Sequence, residues 1–297
     1  MIAVLSPGIS SRLIMWKGSQ DFVSWLCIIS LCWGWGTFGY TNRDGVSYLQ
    51  EMLPVDCLFL DPARRDGHGG KTVAISDCEP DVTVLEPLLV DKAKKVMVKL
   101  SPMLDLSLAL NELKTVRAVH IVAVNNECKE LLLILQKESV SSEVSIHCEH
   151  IAGNGESRHY TFTLKREKTS PCLLADEVGT YLYEPNAAIL KAGAFRSLTQ
   201  TYPVAKLHLN SHLYTSVSLV PDFPGRRFRV EAVSGFGKKE LKAFLMDMDK
   251  ANITIRNFPL SVAELRKRLK LKEGGDDYIF ATTLSGGQKV LIRGKKC

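Results

Sequence analysis

The chain has no CxxC pair and no regular cysteine spacing, although it holds eight cysteines, at 27, 32, 57, 78, 128, 148, 172 and 297. That scatter excludes a disulfide framework and a zinc ribbon, and reads as reduced core thiols of a cytoplasmic protein. Internal repeats and low-complexity tracts are absent too, and there is no A-x-A-like cleavage site behind the one long uncharged run. The nearest approach to a metal cluster is "HCEH" at 147–150. On a strand, the period of two puts His147 and Glu149 on one face and Cys148 and His150 on the other, so the stretch reads as an ordinary strand and no metal is expected. What remains is a chain of 297 residues with 45% apolar content, long enough for two or three globular domains.

Charge is unevenly spread. From Asp222 to the end there are 17 Lys+Arg against 9 Asp+Glu, so these 76 residues carry +8, and the overall +6 leaves −2 for everything before them. The basic character belongs to the C-terminal part. At the other end, "FVSWLCIISLCWGWGTFGY" (22–40) has nineteen residues without a charge and three of the four tryptophans. Its length makes it a marginal membrane-span candidate, but its second half is Gly, Trp and Thr, and a true span is not the expectation.

From residue 55 an α/β rhythm sets in. "VDCLFLDP" (55–62), "KKVMVKLSP" (94–102) and "AVHIVAVNN" (118–126) read as apolar strands, and "VTVLEPLLVDKA", "LDLSLALNELKTV" and "ECKELLLILQKE" read as helices between and after them. This alternation predicts a parallel sheet, and the near-continuous apolar strands predict cover on both faces. "EVSIHCEHI" and "RHYTFTLKRE", joined by "AGNGES", predict an antiparallel hairpin that closes the sheet. Parallel α/β sheets bind ligands beyond the carboxyl ends of their strands, which directs attention to "DCLFLDPARRDGHGG" (56–70). There Asp61 can accept hydrogen bonds, Pro62 stiffens the turn, and Arg64 and Arg65 can grip a carboxylate or phosphate. A capped strand end with solvated arginines fits the same residues.

"DPARR" at a strand end resembles motif IV of class I S-adenosylmethionine-dependent methyltransferases. Together with "NRDGVSYL", "VKLSPMLDLSLAL", "YLYEPNAAILKAGAFRSL", "SHLYTS", "FPGRRFRV" and "RNFPLSVAELRKRLKL", it makes residues 41–297 resemble the bacterial methyltransferases with a THUMP-like C-terminal domain. The resemblance implies an incomplete Rossmann-like class I methyltransferase sheet at 41–168, a ferredoxin-like module at 169–221 and a THUMP-like domain at 222–297. It implies S-adenosylmethionine as cofactor, with Asp44 near the adenine, Asp61 at both cofactor and acceptor, and Pro62 and Arg64 completing the acceptor turn. For Asp44, plain turn chemistry in "NRDG" is the competing reading.

Two departures from the resemblance carry weight. RNA 5-methyluridine methyltransferases share the D-P-A-R turn but place a nucleophilic cysteine at the end of the next strand. Here that strand end is Leu100-Ser101-Pro102, so direct, non-covalent transfer is expected, with Cys57 and Cys78 structural. Upstream of Asn42, no acidic residue followed by G-x-G is readable, and Gly34 and Gly36 lack a convincing strand before them. Residues 1–40 are therefore expected to be an atypical segment, truncated or out of the native frame, and this chain to lack a complete cofactor loop.

The C-terminal pattern predicts short strands at "VAKLHL" and "HLYTSVSLV", a strand at 226–233, a helix from Lys238, a strand at "NITIRNF" and a helix at 261–271 opened by a Ser261–Glu264 capping box. A final hairpin turns at Gly286-Gly287. This order suits a small α+β domain of ferredoxin-like or THUMP type. THUMP domains bind RNA, so Arg226, Arg227, Arg266, Lys267 and Arg268, with Arg229, Arg256, Lys270 and Lys272 nearby, are the candidate contacts to a tRNA or rRNA backbone. A solvated basic face is the plain alternative. Three functions stand at this point: an RNA methyltransferase, an RNA-binding module without a working cofactor pocket, and a membrane-anchored protein using 22–40.

Overall fold

The structure, a computed structural model, describes residues 2–6, 13–17, 37–41, 44–64, 74–137 and 143–297, with 2–6, 13–17, 37–41 and 64 described for backbone alone. It divides into two compact units, Met1–Leu164 and Lys165–Cys297. The nineteen-residue run at 22–40 lies outside the described residues except for its last four, which are strand; among the described residues no helix is long and apolar enough to cross a membrane.

The first unit is built on Ile2–Ser6 (β1), Leu13–Lys17 (β2), Thr37–Thr41 (β3), Val55–Asp61 (β4), the two-residue strands Ala63–Arg64 (β5) and Cys78–Glu79 (β6), and Ala93–Leu100 (β7). Val116–Val124 (β8), Glu127–Leu135 (β9), Ser145–Ile151 (β10) and Ser157–Thr163 (β11) complete it. Nine of these form one sheet in the order β11-β10-β8-β9-β7-β4-β2-β1-β3, while β5 and β6 pair separately. At its centre β2, β4 and β7 run parallel, as the α/β rhythm predicts. The predicted hairpin is β10–β11, paired from Ser145↔Thr163 to Ile151↔Ser157.

One predicted helix is a strand. "ECKELLLILQKE" forms β9, which lies antiparallel between β7 and β8. The signal is in the preceding turn: Asn125 and Asn126 both have positive φ, 51° and 63°, the left-handed pair that a two-residue hairpin needs and asparagine tolerates. His150 holds this turn, its Nε2 accepting the Asn126 N–H at 3.1 Å, while Asn125 N–H donates to Ile151 O at 2.9 Å. Once reversed, the run Leu131–Leu135 is long enough to pair on both sides and is buried at Leu131, Leu133, Ile134 and Leu135.

Among the described residues, burial differs between the two faces of the sheet. Leu58, Leu60, Val96, Val98, Val119, Ile121, Ile146 and Cys148 are buried, with Leu89, Val90, Leu106 and Ala109 buried on helices Val82–Lys92 and Leu106–Glu112. The alternate positions Cys57, Phe59, Met97, Val122 and Leu132 are only half-buried. The strands thus alternate, and the segment expected to supply a further helix is itself in the sheet. Glu86 ties helix to sheet: its buried carboxylate accepts the N–H groups of Lys114 and Thr115 and the Thr115 hydroxyl at 2.6–2.8 Å.

The second unit has one seven-stranded sheet. Its strands are Tyr181–Pro185 (β12), Ala205–Lys206 (β13), Tyr214–Ser216 (β14), Gly225–Ser234 (β15), Asn252–Arg256 (β16), Asp277–Thr283 (β17) and Lys289–Lys296 (β18), in the order β13-β14-β12-β15-β18-β17-β16. Leu182, Phe228, Phe280 and Ile292 centre one core, and Leu265, Leu269, Phe244, Ile279 and Leu291 centre the other beneath helices Lys238–Phe244 and Val262–Leu269. Asn186 caps helix Ala187–Ala192, and the Ser261–Glu264 capping box forms as predicted.

Strands β12 and β16 stand four spacings apart, about 19 Å in a flat sheet. Yet Arg256 Nη2 on β16 donates to Glu184 Oε1 on β12 at 2.8 Å, and Arg226 donates to Glu184 Oε2 through Nε at 2.8 Å and through Nη2. Asn257 Nδ2 donates to His208 Nδ1 at 3.0 Å, and Ser285 Oγ to Ala175 O at 3.1 Å. The sheet is therefore coiled until its two ends meet, with buried Glu184 as the clasp. Beside it Lys206 Nζ is buried, donating to Leu209 O and lying 5.1 Å from the Phe195 ring centroid, while His212 stacks on the same ring at 3.7 Å.

Two outcomes follow from the clasp. Glu184→Ala leaves two arginines without their shared counter-ion and is expected to destabilise the Lys165–Cys297 unit by about 3 kcal/mol, read as faster amide exchange in β12, β15 and β16 of the full chain. Burial, then the Lys206 and Arg256 charges, push His212 down from 6.5 to about 4, so it folds neutral. The unfolded state takes up a proton below 6.5 that the folded state refuses until about 4, so stability is constant above 6.5 and falls between those values. His212→Asn, which tolerates the left-handed φ of 53°, should flatten that window in urea titrations followed by amide exchange.

Candidate functional site

Three helices of the first unit start on aspartate: Asp44 before Gly45–Glu51, Asp81 before Val82–Lys92 and Asp105 before Leu106–Glu112, each side chain accepting a backbone N–H of the first turn. The first two helices precede β4 and β7 and the third follows β7, so all three start at the carboxyl edge of the parallel strands. Asp61, the last residue of β4, ends at that same edge, as the search for a strand-end site predicts.

Asp61 is not a free carboxylate. Lys99 Nζ on β7 lies 3.2 Å from Asp61 Oδ2 and 3.7 Å from Glu130 Oε2 on β9, with 17% of the Asp61 side chain exposed. The register explains the meeting. Leu60 pairs with Val98, which brings Asp61 level with Lys99; Lys99 pairs with Leu132, and Glu130 is the next position of β9 on that face. Neither Lys99 nor Glu130 was singled out by the sequence patterns. Lys99 could have been found from "VMVKL", where it takes an alternate position against buried Val98 and Leu100. Glu130 could not be placed while its segment read as helix.

The other predicted residues divide plainly. Pro62 follows Asp61 and leads into β5, which holds Arg64; the Arg64 side chain and residues 65–73 lie outside the described residues. Asp44 is exposed and takes both the N–H and the hydroxyl of Ser47 at 2.8 Å, through Oδ2; these bonds hold its carboxyl below the ordinary carboxylate range. The turn reading of Asp44 is thereby satisfied, and Oδ1 stays outside the Ser47 pair. Asp44 and Asp61 share the edge.

Burial raises the thiols of Cys57 and, further, Cys148, so neither is poised as a thiolate. Cys78 is buried as well. Among the described residues no group of three His, Cys, Asp or Glu could hold a metal. In "HCEH", His147 stacks on His120 at 4.5 Å and His150 serves the Asn126 turn.

In the second unit, the five basic candidates are not equivalent. Arg226 is bound to Glu184, Arg227 donates to Pro221 O, and Arg266 Nη1 donates to Ala251 O at 3.1 Å. Lys267 and Arg268 are exposed on helix Val262–Leu269, with the Arg268 guanidinium 5.2 Å from the Phe236 ring centroid. The Phe236 ring in turn lies 5.2 Å from that of Phe258. Lys270, in the left-handed C-cap, and Lys272 continue this exposed basic run, and Arg229 is exposed on β15; Arg256 belongs to the clasp.

Comparison with known proteins gives the following. A family model for a ferredoxin-like domain matches residues 181–224, and one described as THUMP domain-like matches residues 225–296. Among solved structures, the chain is similar to that of a "putative methyltransferase from Porphyromonas gingivalis W83", at 33% identity and a TM-score of 0.81, over 96% of this chain and 71% of that one. No curated protein matches the chain.

Proposed function

Because the chain belongs to the methyltransferase family of that Porphyromonas gingivalis protein, in which a mixed α/β domain precedes ferredoxin-like and THUMP-like regions, we propose that it is an S-adenosylmethionine-dependent methyltransferase acting on RNA, tRNA or rRNA, by direct transfer. The observation that carries this reading is Asp61-Pro62 at the carboxyl edge of β4, held in place by Lys99. A carboxylate at that edge can accept a hydrogen bond from an acceptor group, and Pro62 stiffens the chain just beyond it.

The cofactor supplies a methyl group already activated on a sulfonium. Of the described residues, Asp44 suits it, since Oδ1 of an ionised carboxylate can accept from an adenine amino group. Asp61 borders cofactor and acceptor together. Direct transfer is favoured over covalent catalysis because Leu100-Ser101-Pro102 after β7 offers no cysteine. Docking of RNA falls to Lys267 and Arg268, with Lys270, Lys272 and Arg229, rather than to the arginines already bonded within the fold.

One observation favours a second reading, an RNA-binding protein without a working cofactor pocket. No acidic residue followed by G-x-G stands upstream of Asn42. Isothermal titration with S-adenosylmethionine separates the two. Binding that weakens at least about tenfold in Asp44→Asn, which keeps the helix cap, supports the enzyme. No binding by the intact chain leaves the RNA-binding module. In either case, Lys267→Ala with Arg268→Ala is expected to weaken tRNA binding and to lower the slope of log K against log salt by about 1.4–1.8, while Arg227→Ala changes it less. Equal slopes would remove this basic run from the interface.

A further inference from the structure

Two carboxylates and one ammonium meet at the edge where β4, β7 and β9 adjoin, and one of the three, Glu130, has no part in the reading above. Lys99 reaches Asp61 at 3.2 Å and Glu130 at 3.7 Å, from a side chain that is 27% exposed against 17% for Asp61 and 41% for Glu130. An ordinary surface pair joins two mobile side chains and fixes neither. Here each member stands on a different strand, and the backbone pairings Leu60↔Val98 and Lys99↔Leu132 set their spacing. An ammonium between two carboxylates has a single preferred place, and the least exposed partner, Asp61, is the one it restrains most.

We infer that Lys99, anchored by Glu130, is the positioning residue that holds the Asp61 carboxylate at the acceptor site, and that the site is therefore selective for an acceptor that donates a hydrogen bond, an amino or hydroxyl group. This rests on the methyltransferase reading for the word acceptor, and on the geometry alone for the restraint. A bare ring nitrogen, with a lone pair and no hydrogen, would meet carboxylate lone pairs. An N–H or O–H group can donate to Asp61 while the Lys99 ammonium keeps that carboxylate from turning away. Glu130 acts from the far side of Lys99, as a second anchor for the ammonium.

The test uses the full chain, S-adenosylmethionine and total tRNA. Lys99→Met is expected to leave S-adenosylmethionine affinity within about twofold and KM for tRNA within about threefold, while kcat falls at least about tenfold; Lys99→Arg should recover most of the loss. Glu130→Gln should fall between wild type and Lys99→Met. The modified nucleoside should carry its methyl on an exocyclic nitrogen, an oxygen or a ring nitrogen that bore a hydrogen. Wild-type turnover in Lys99→Met, an arginine variant no better than the methionine one, or a methyl on a ring nitrogen that carries no hydrogen would each overturn the inference. If the unaltered chain transfers no methyl group, the methyltransferase reading fails, and crystal structures decide the restraint. An Asp61 carboxylate displaced in Lys99→Met and retained in Lys99→Arg supports it. One that stays within about 0.5 Å of its wild-type place in Lys99→Met sinks it.

Discussion

The first unit depends on a two-residue reversal. Asn125 and Asn126, both at positive φ, send the chain back along β8 at once, and His150 holds the reversal by accepting the Asn126 N–H. A longer connection would have allowed the following apolar residues to form a helix and cross over the sheet. Instead β9 enters the sheet between β7 and β8, where its apolar run finds a partner on each side. That insertion also brings Glu130 to the carboxyl edge, beside Lys99. A turn at one end of the hairpin thus decides which charges face Asp61.

In the second unit the corresponding constraint is electrostatic. Glu184 receives Arg226 from the neighbouring strand and Arg256 from the far edge of the sheet. A buried carboxylate needs such partners, because losing water without replacing its hydrogen bonds is costly. The clasp crosses the boundary between the ferredoxin-like match and the THUMP domain-like match: Glu184 belongs to the first, Arg226 and Arg256 to the second. One sheet likewise runs through both. The two matched segments are thus joined in a single hydrogen-bonded layer with two cores, rather than strung along a linker.

Much of this was legible in the sequence where side-chain period and turn chemistry agree. The β10–β11 hairpin, the Ser261–Glu264 capping box and the parallel pairing of β4 with β7 are cases in which local preference and tertiary need coincide. β9 was misread because "ELLLIL" fits a helix and a buried strand equally well, and only the Asn-Asn turn distinguishes them. The position of Asp61 at the sheet edge was legible because a proline-terminated apolar strand marks the edge where α/β sheets work. Lys99 and Glu130 were not, since they join Asp61 only through the strand order, which no local pattern encodes. The Glu184 clasp was hidden for the same reason, its partners being 42 and 72 residues away along the chain.

The C-terminal charge shows how far composition can lead. A surplus of eight positive charges after residue 221 suggests a broad phosphate-binding face. A charge available to a polyanion must still have donors to offer, and the fold claims several first. Arg226 and Arg256 neutralise a buried carboxylate, while Arg227 and Arg266 donate to the backbone carbonyls of Pro221 and Ala251. Arg293 and Lys295 lie beside Glu231, and Arg293 also beside Asp277. Lys267, Arg268, Lys270 and Lys272 stay exposed at the end of helix Val262–Leu269, where the last-turn carbonyls draw cations and Phe236 holds the Arg268 guanidinium by its ring face.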